Sequence, residues 1–220
     1  MHWAADVHEH CKKAEGGYSQ DGEEFGLEFI FSNIGTTNKL AVDIGAADGK
    51  RQSNTFHLEY GLGFKRLLID KYPTAPEVLE YDITPDNINQ ILVDHKIPVV
   101  FDMLNIDIDG NDYWVWNAMK HFPRVVVMEY NHSLGFTVSK TIKYNPNHVF
   151  NRNQYFGASA MAMVKLGIKK GYKVVARTNT NLIFVQDSHV IDAPKIKFPP
   201  NKSITRGWGP APVGSIWVEV

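Results

Sequence analysis

The segment DMLNIDIDGND (102–112) carries four carboxylates, and MEYNH (128–132) adds a fifth beside an amide and an imidazole. Asp107, Asp109 and Asp112 fall at and just after the end of one apolar run, with Asp102 further back; Glu129, Asn131 and His132 fall at the end of the next. Acids brought into one crevice repel each other unless a cation or a proton intervenes. Asp107, Glu129 and Asn131 offer the hard oxygen ligands that Mg2+ prefers, and Mn2+ accepts the same set. A carboxylate or histidine in such a place can take the proton of an attacking hydroxyl, and a bound divalent cation makes that hydroxyl more acidic. His132 is the second candidate for the base, its alternative being a hydrogen bond to nearby backbone.

A separate stretch, LAVDIGAADGK (40–50), ends an apolar run in an acid and a glycine turn. A dehydrogenase fingerprint would need glycines where Ala47 and Lys50 stand, and a phosphate-cradling P-loop would need four residues between its glycines followed by Lys-Ser/Thr. What is present is D-x-G-x-x-x-G, Asp43 to Gly49. Its glycines let backbone approach a ligand closely, and its acid suits a positively charged one. S-adenosyl-L-methionine, with an ammonium and a sulfonium, fits that better than a pyrophosphate does. Asp43, Gly45, Ala46, Gly49 and Ser53 are the expected contacts from this turn. Asp70, ending the next strand, is expected at the ribose hydroxyls, and Asp82, ending the third, at the adenine.

The elements that must position these residues alternate. KLAVDIG (39–45), KRLLID (65–70), PEVLEYD (76–82), IPVVFDMLNIDID (97–109) and PRVVVMEY (123–130) read as strands buried on both faces. The intervening segments QSNTFHLEYGLG, TPDNINQILVDHK and DYWVWNAMKHF read as crossover helices, the second starting at Thr84-Pro85-Asp86. Asp112 is read as the cap of the third, and one of Trp114 and Trp116 as core packing with the other beside the cleft. His57 and His95 are read as surface residues. GASAMAMVKLGIKKGY is an amphipathic helix, followed by a hairpin of YKVVART and NLIFVQ. The expectation is an α/β Rossmann-like, doubly wound sheet of the class I methyltransferase kind, mostly parallel with a C-terminal antiparallel hairpin. It forms one domain over 1–220: a helical segment (1–37), the core (38–187) and a proline-rich extension (188–220) ending in a short strand.

Together, VDIGAADGKRQSNT, LLID, NIDIDGNDYWVW, PRVVVMEYN and YFGAS…LGIKKGY resemble FkbM-type S-adenosylmethionine-dependent methyltransferases, from about Tyr18 to Gln186. The resemblance implies a Rossmann-type fold and O-methylation of sugar or natural-product hydroxyls. The acidic cluster is also similar to that of metal-dependent sugar and macrolide O-methyltransferases. By that likeness Asp107 is the first metal ligand, Glu129 and Asn131 the others, and Asp109 the catalytic base. The Asn-rich connection YNPNHVFNRNQYFGAS (144–159) is long enough to be a lid, with Tyr155 and Ser159 expected to contact the acceptor.

Composition narrows the remaining classes. The 220 residues suit one large domain, and the single Cys11 cannot form an internal disulfide. No apolar run approaches membrane-spanning length and the first residues lack a signal-peptide core, so the expected setting is cytoplasmic and the Asn131 and Asn201 sequons are expected to carry no glycan. Residues 1–150 hold 13 Lys/Arg against 21 Asp/Glu, and residues 151–220 hold 10 against 3. That basic third leaves open a methyltransferase acting on RNA or protein, although nucleic-acid signatures are missing. The leading expectation is a small-molecule or glycan acceptor, with the chain acting alone or as one domain of a larger glycan-modifying enzyme. A non-catalytic S-adenosylmethionine-binding module is the alternative from another class.

Overall fold

The computed structural model describes residues 3–12, 17–192, 196 and 207–220. A short helix α1 (Val7–Lys12) and the longer α2 (Glu23–Ile34) precede the first strand, β1 (Leu40–Ile44). Then come α3 (Phe56–Leu62), β2 (Lys65–Asp70), β3 (Leu79–Glu80), α4 (Ile88–Asp94), β4 (Met103–Ile106), α5 (Asp112–Ala118) and β5 (Val125–Glu129). The chain continues through β6 (Lys140–Ile142), α6 (Ala160–Lys169), β7 (Tyr172–Arg177), β8 (Asn181–Gln186) and β9 (Trp217–Glu219).

Seven strands form one sheet in the order β3-β2-β1-β4-β5-β8-β7. The first five are parallel; β8 runs antiparallel to both β5 and β7. The strands are apolar on both faces because both are covered. Ala41, Met103, Val125, Val127 and Ile183 pack with Val7, Leu27, Ile30 and Leu58 on the face of α1, α2 and α3. Val42, Ile44, Leu104, Ile106 and Phe184 pack with Leu92, Val115, Trp116 and Leu166 on the face of α4, α5 and α6. This is the expected fold class, α/β and doubly wound with an antiparallel hairpin at one edge. The chain passes from β1 outward to β2 and β3, then returns to lay β4 on the other side of β1. A crevice opens at the carboxyl ends of β1 and β4, where the winding reverses.

Several boundaries differ from the sequence reading. Helix α4 begins at Ile88, with Thr84 and Asn87 exchanging hydrogen bonds in the turn before it, Asn87 Oδ1 accepting from Thr84 N at 2.8 Å. Residues placed at a helix start by their capping chemistry instead make a tight turn. Trp116 lies in the core against Tyr172 and Phe184, while Trp114 donates to Ile142 O at 2.9 Å; neither lines the cleft. The 144–159 connection is braced rather than loose: Asn153 bridges Gly209, and Tyr155 donates to Ile216 O at 2.7 Å. The short strand expected near the end of the sequence is β9, which pairs antiparallel with β6. Within the proline-rich extension expected over 188–220, residues 193–195 and 197–206 lie outside the described residues, and Asn201 with them. Among the described residues, no helix is long and apolar enough to cross a membrane.

Candidate active site

The glycine turn after β1 is where backbone meets backbone. Gly45 has φ of +89°, and a Cβ built on it would stand 1.7 Å from Asp107 O at the end of β4. Only glycine leaves room for this approach, so β1 and β4 close together at the crevice. Gly45 and Ala46 both donate to Ile69 O (2.8 and 3.1 Å), and Gly49 donates to Ala46 O at 2.6 Å. Gly49, with φ of +66°, faces Leu68.

Asp43, at the head of the turn, lies 2 % exposed and fully engaged. Its Oδ2 accepts from Thr55 Oγ1 at 2.6 Å and from Ser53 Oγ at 3.3 Å, and its Oδ1 from Asn105 Nδ2 at 2.8 Å. Burial raises its pKa while these hydrogen bonds pull it down. The carboxylate expected to receive a ligand's positive charge therefore organises the turn. Asp70 Oδ2 accepts from Ala47 N (2.8 Å) and Oδ1 from Tyr72 N (2.7 Å), tying the first turn to the end of β2 and leaving lone pairs towards the cleft. Asp82 lines the same cleft and pairs with Lys71 Nζ at 2.7 Å.

Asp43, Asp70 and Asp82 share a cleft of about 510 Å³ with Asp107 and Asp109, while Glu129 lies behind Asp107 and does not line it. One carboxylate oxygen from each of Asp107, Asp109 and Glu129 lies within 4.8 Å of the others. Burial first, then the neighbouring acids, pushes Asp107 and Glu129 well above the ordinary carboxylate range, and Glu129 donates a hydrogen bond to Asp107. Asp109 is raised to about 6 by burial and by the charges of Asp112 and Asp70. Its φ of +52° turns it out of the strand direction and into the cluster. Three hard oxygen donors at this spacing fit a small divalent cation, and without one the same geometry holds a shared proton.

Of the expected site residues, Gly49, Glu129, Asn131, His132, Tyr155 and Ser159 do not line the cleft. Asn131 is not the third corner of the cluster: its Nδ2 donates to Phe156 O at 2.7 Å and Gln154 O at 3.0 Å, and its Oδ1 accepts from Ser133. The amide pins the 144–159 connection, and Asp109 takes the corner instead. His132 is buried among Phe156 and Trp208 and does not line the cleft. Ser159 caps α6, accepting from Ala162 N at 3.3 Å and donating to Val138 O at 2.8 Å. Tyr155 is held by Ile216 and packs on Trp217. Asp112, read from the sequence as the helix cap, is instead the first residue of α5, after Asn111 at the cap, and serves the preceding turn, accepting from Ile108 N and Gly110 N, each at 2.8 Å.

The sequence reading missed His148, Phe150, Asn54, Asn105 and Asn181, all of which line the cleft. The His148 ring lies over Gly110, where a Cβ would come within 2.5 Å of its Cδ2, and burial lowers its pKa. Asn105 was findable, being on the face of Asp107 two residues before it. His148 lay inside a segment singled out for its length, but nothing in its type or spacing separated it from its neighbours.

A seven-stranded sheet of this order, with an antiparallel hairpin beside the fifth strand and a glycine turn after the first, is the Rossmann-like arrangement of class I methyltransferases. Among solved structures, the CMeT domain of the citrinin polyketide synthase is similar at a TM-score of 0.44 and 11% sequence identity, over 77% of this chain and 54% of that one. The chain thus spans about half the length of that structure. No protein-family model matches the chain, and no curated protein matches it.

Proposed function

We propose that the protein is an S-adenosylmethionine-dependent O-methyltransferase acting on an uncharged hydroxyl, with a sugar as the leading acceptor class, in keeping with the FkbM-like motifs. The observation that carries this reading is one cleft at the switch point of the sheet, joining a turn whose Gly45 admits no side chain to Asp107 and Asp109, with the Glu129 carboxyl within 4.8 Å of both behind them. Asp70 and Asp82 would hold the nucleoside, and the backbone of Gly45 and Ala46 would border the methyl-bearing end. Asp107 and Glu129 would hold a divalent cation, leaving the Asp109 carboxylate beside it free to act as the base. Such an ion, when bound, supplies a Lewis acid that lowers the hydroxyl's pKa. Asp109, ionised above about pH 6, accepts the hydroxyl proton. Holding oxygen, methyl and sulfur in line supplies much of the remaining rate.

The cleft lining holds Asp43, Asp70, Asp82, Asp107 and Asp109 against Lys71 and Arg51. An acidic wall of this kind disfavours a polyanionic acceptor, which supports a neutral small molecule or glycan over RNA. The test is calorimetric titration with S-adenosylhomocysteine, first in EDTA and then with Mg2+ or Mn2+. Micromolar binding in EDTA is expected; no binding under either condition would sink the reading.

A further inference from the structure

Two asparagine carbonyls in the cleft wall lack a donor. Asn54 and Asn181 are 4% and 3% exposed, both line the cleft, and Oδ1 of each has no hydrogen-bond partner among the described residues. Their orientations follow from what their amide nitrogens do. Asn105 Nδ2 donates to Asp43 Oδ1 at 2.8 Å, so Asn105 Oδ1 faces away and accepts from Asn54 Nδ2 at 2.9 Å. Asn54 Oδ1 is left over. Asn181 Nδ2 donates to Glu23 Oε1 at 2.9 Å, an oxygen that also accepts from Thr178 Oγ1 at 2.6 Å. Asn181 Oδ1 is left over in turn. Each amide thus hangs from a buried carboxyl group, directly or through one relay, and that donation polarises its carbonyl into a stronger acceptor.

The sheet brings the two relays to one side. Asp43 pairs with Asn105, Asn105 with Val127, and Glu129 with Asn181, so all these side chains leave the face that carries α2. A buried acceptor without a donor is costly, and a ligand bringing N–H groups into the cleft relieves that cost.

We infer that Asn54 and Asn181 together receive the ammonium group of a ligand's amino-acid end; this rests on the methyl-donor reading above, and names the recipient of the donor's amino-acid charge. Asp43, the residue whose charge suits that role, has both oxygens engaged by Thr55, Ser53 and Asn105. An ammonium carries three donors and no acceptor, matching carbonyls in one cleft wall that lack a donor of their own.

The experiment titrates the wild-type protein and the Asn54→Leu and Asn181→Leu variants with three ligands. These are S-adenosylhomocysteine, its deaminated analogue, and 5′-methylthioadenosine, which lacks the amino-acid end altogether. Wild type is expected to bind S-adenosylhomocysteine at least about tenfold more tightly than the deaminated analogue, as hydrogen bonds to a charged group allow. Each variant is expected to lose roughly tenfold or more for S-adenosylhomocysteine while 5′-methylthioadenosine changes less than about twofold. That retained binding also shows that the variant is folded. Equal wild-type affinity for S-adenosylhomocysteine and its deaminated analogue overturns the inference without any variant. A parallel loss for all ligands in the variants overturns it too, as a structural role. Wild type that binds none of the three overturns the methyl-donor reading itself.

Discussion

Asp109 has two features a proton acceptor needs: it faces the cleft, and its pKa of about 6 lets it be ionised near neutrality yet still basic. Asp109→Asn keeps the shape and removes the basicity. We expect turnover, read as S-adenosylhomocysteine release across a panel of sugar acceptors, to fall by about 10² to 10⁴. Affinity for S-adenosylhomocysteine should stay within about twofold; its loss would move Asp109 from the base role to cofactor binding. Gly45 is a sharper case, because a side chain there must displace the backbone of Asp107. Gly45→Ala should cost about 3 kcal/mol in denaturant unfolding, combining left-handed strain with overpacking. A cost below about 1 kcal/mol would mean that the β1–β4 approach is not tight. At this scale the acids were legible, as was Asn105 beside them, and Asn54 and Asn181 were not. Asp107, Asp109 and Glu129 announce themselves by charge at strand ends, whereas Asn181 matters only through its register opposite Glu129, and antiparallel register across 50 residues leaves no mark in a sequence.

Elements explain why some expected side chains turned away. Asn131, Ser159 and Tyr155 are polar residues near the site, and all three are spent on holding the 144–159 connection against β5, α6 and β9. That connection brings Pro146, His148, Val149 and Phe150 to the cleft. Its support comes largely from 207–220: Gln154 N donates to Gly209 O at 3.0 Å, Lys143 N donates to Ile216 O at 3.0 Å, and Trp208 packs on Phe150 and Phe156. Deleting 207–220 should leave S-adenosylhomocysteine affinity within about fivefold while abolishing methylation, because the glycine turn keeps its partners in β2 and β4. Equal loss of both would show that the extension supports the cofactor end as well. The strand–helix alternation was readable because period and apolar content survive in the sequence. The small β6–β9 sheet was only half readable, since β6 is three residues long and its partner lies beyond residue 210.

For the whole molecule, the acidic cluster sets a dependence of stability on pH. Asp109 has a folded pKa of about 6 against an ordinary 3.8, and burial and the neighbouring acids raise Asp107 and Glu129 as well. A raised pKa means that the folded state binds protons more tightly. The associated stability is complete below about pH 3.8 and is lost as pH rises through 6. In EDTA, Tm should therefore fall by roughly 5 °C between pH 5 and pH 8. Mn2+ should recover that loss at pH 8 and change little at pH 5, and a Tm flat across this range would mean that the cluster is not strained by its charges. The pairing of residues 140–142 with 217–219 also has a bearing on how the chain is made on the ribosome. Strands β1 to β5 and their glycine turn are synthesised well before Trp217 leaves the exit tunnel. The glycine turn and the acidic cluster are thus complete in the nascent chain before the strand that pairs with residues 140–142 has emerged.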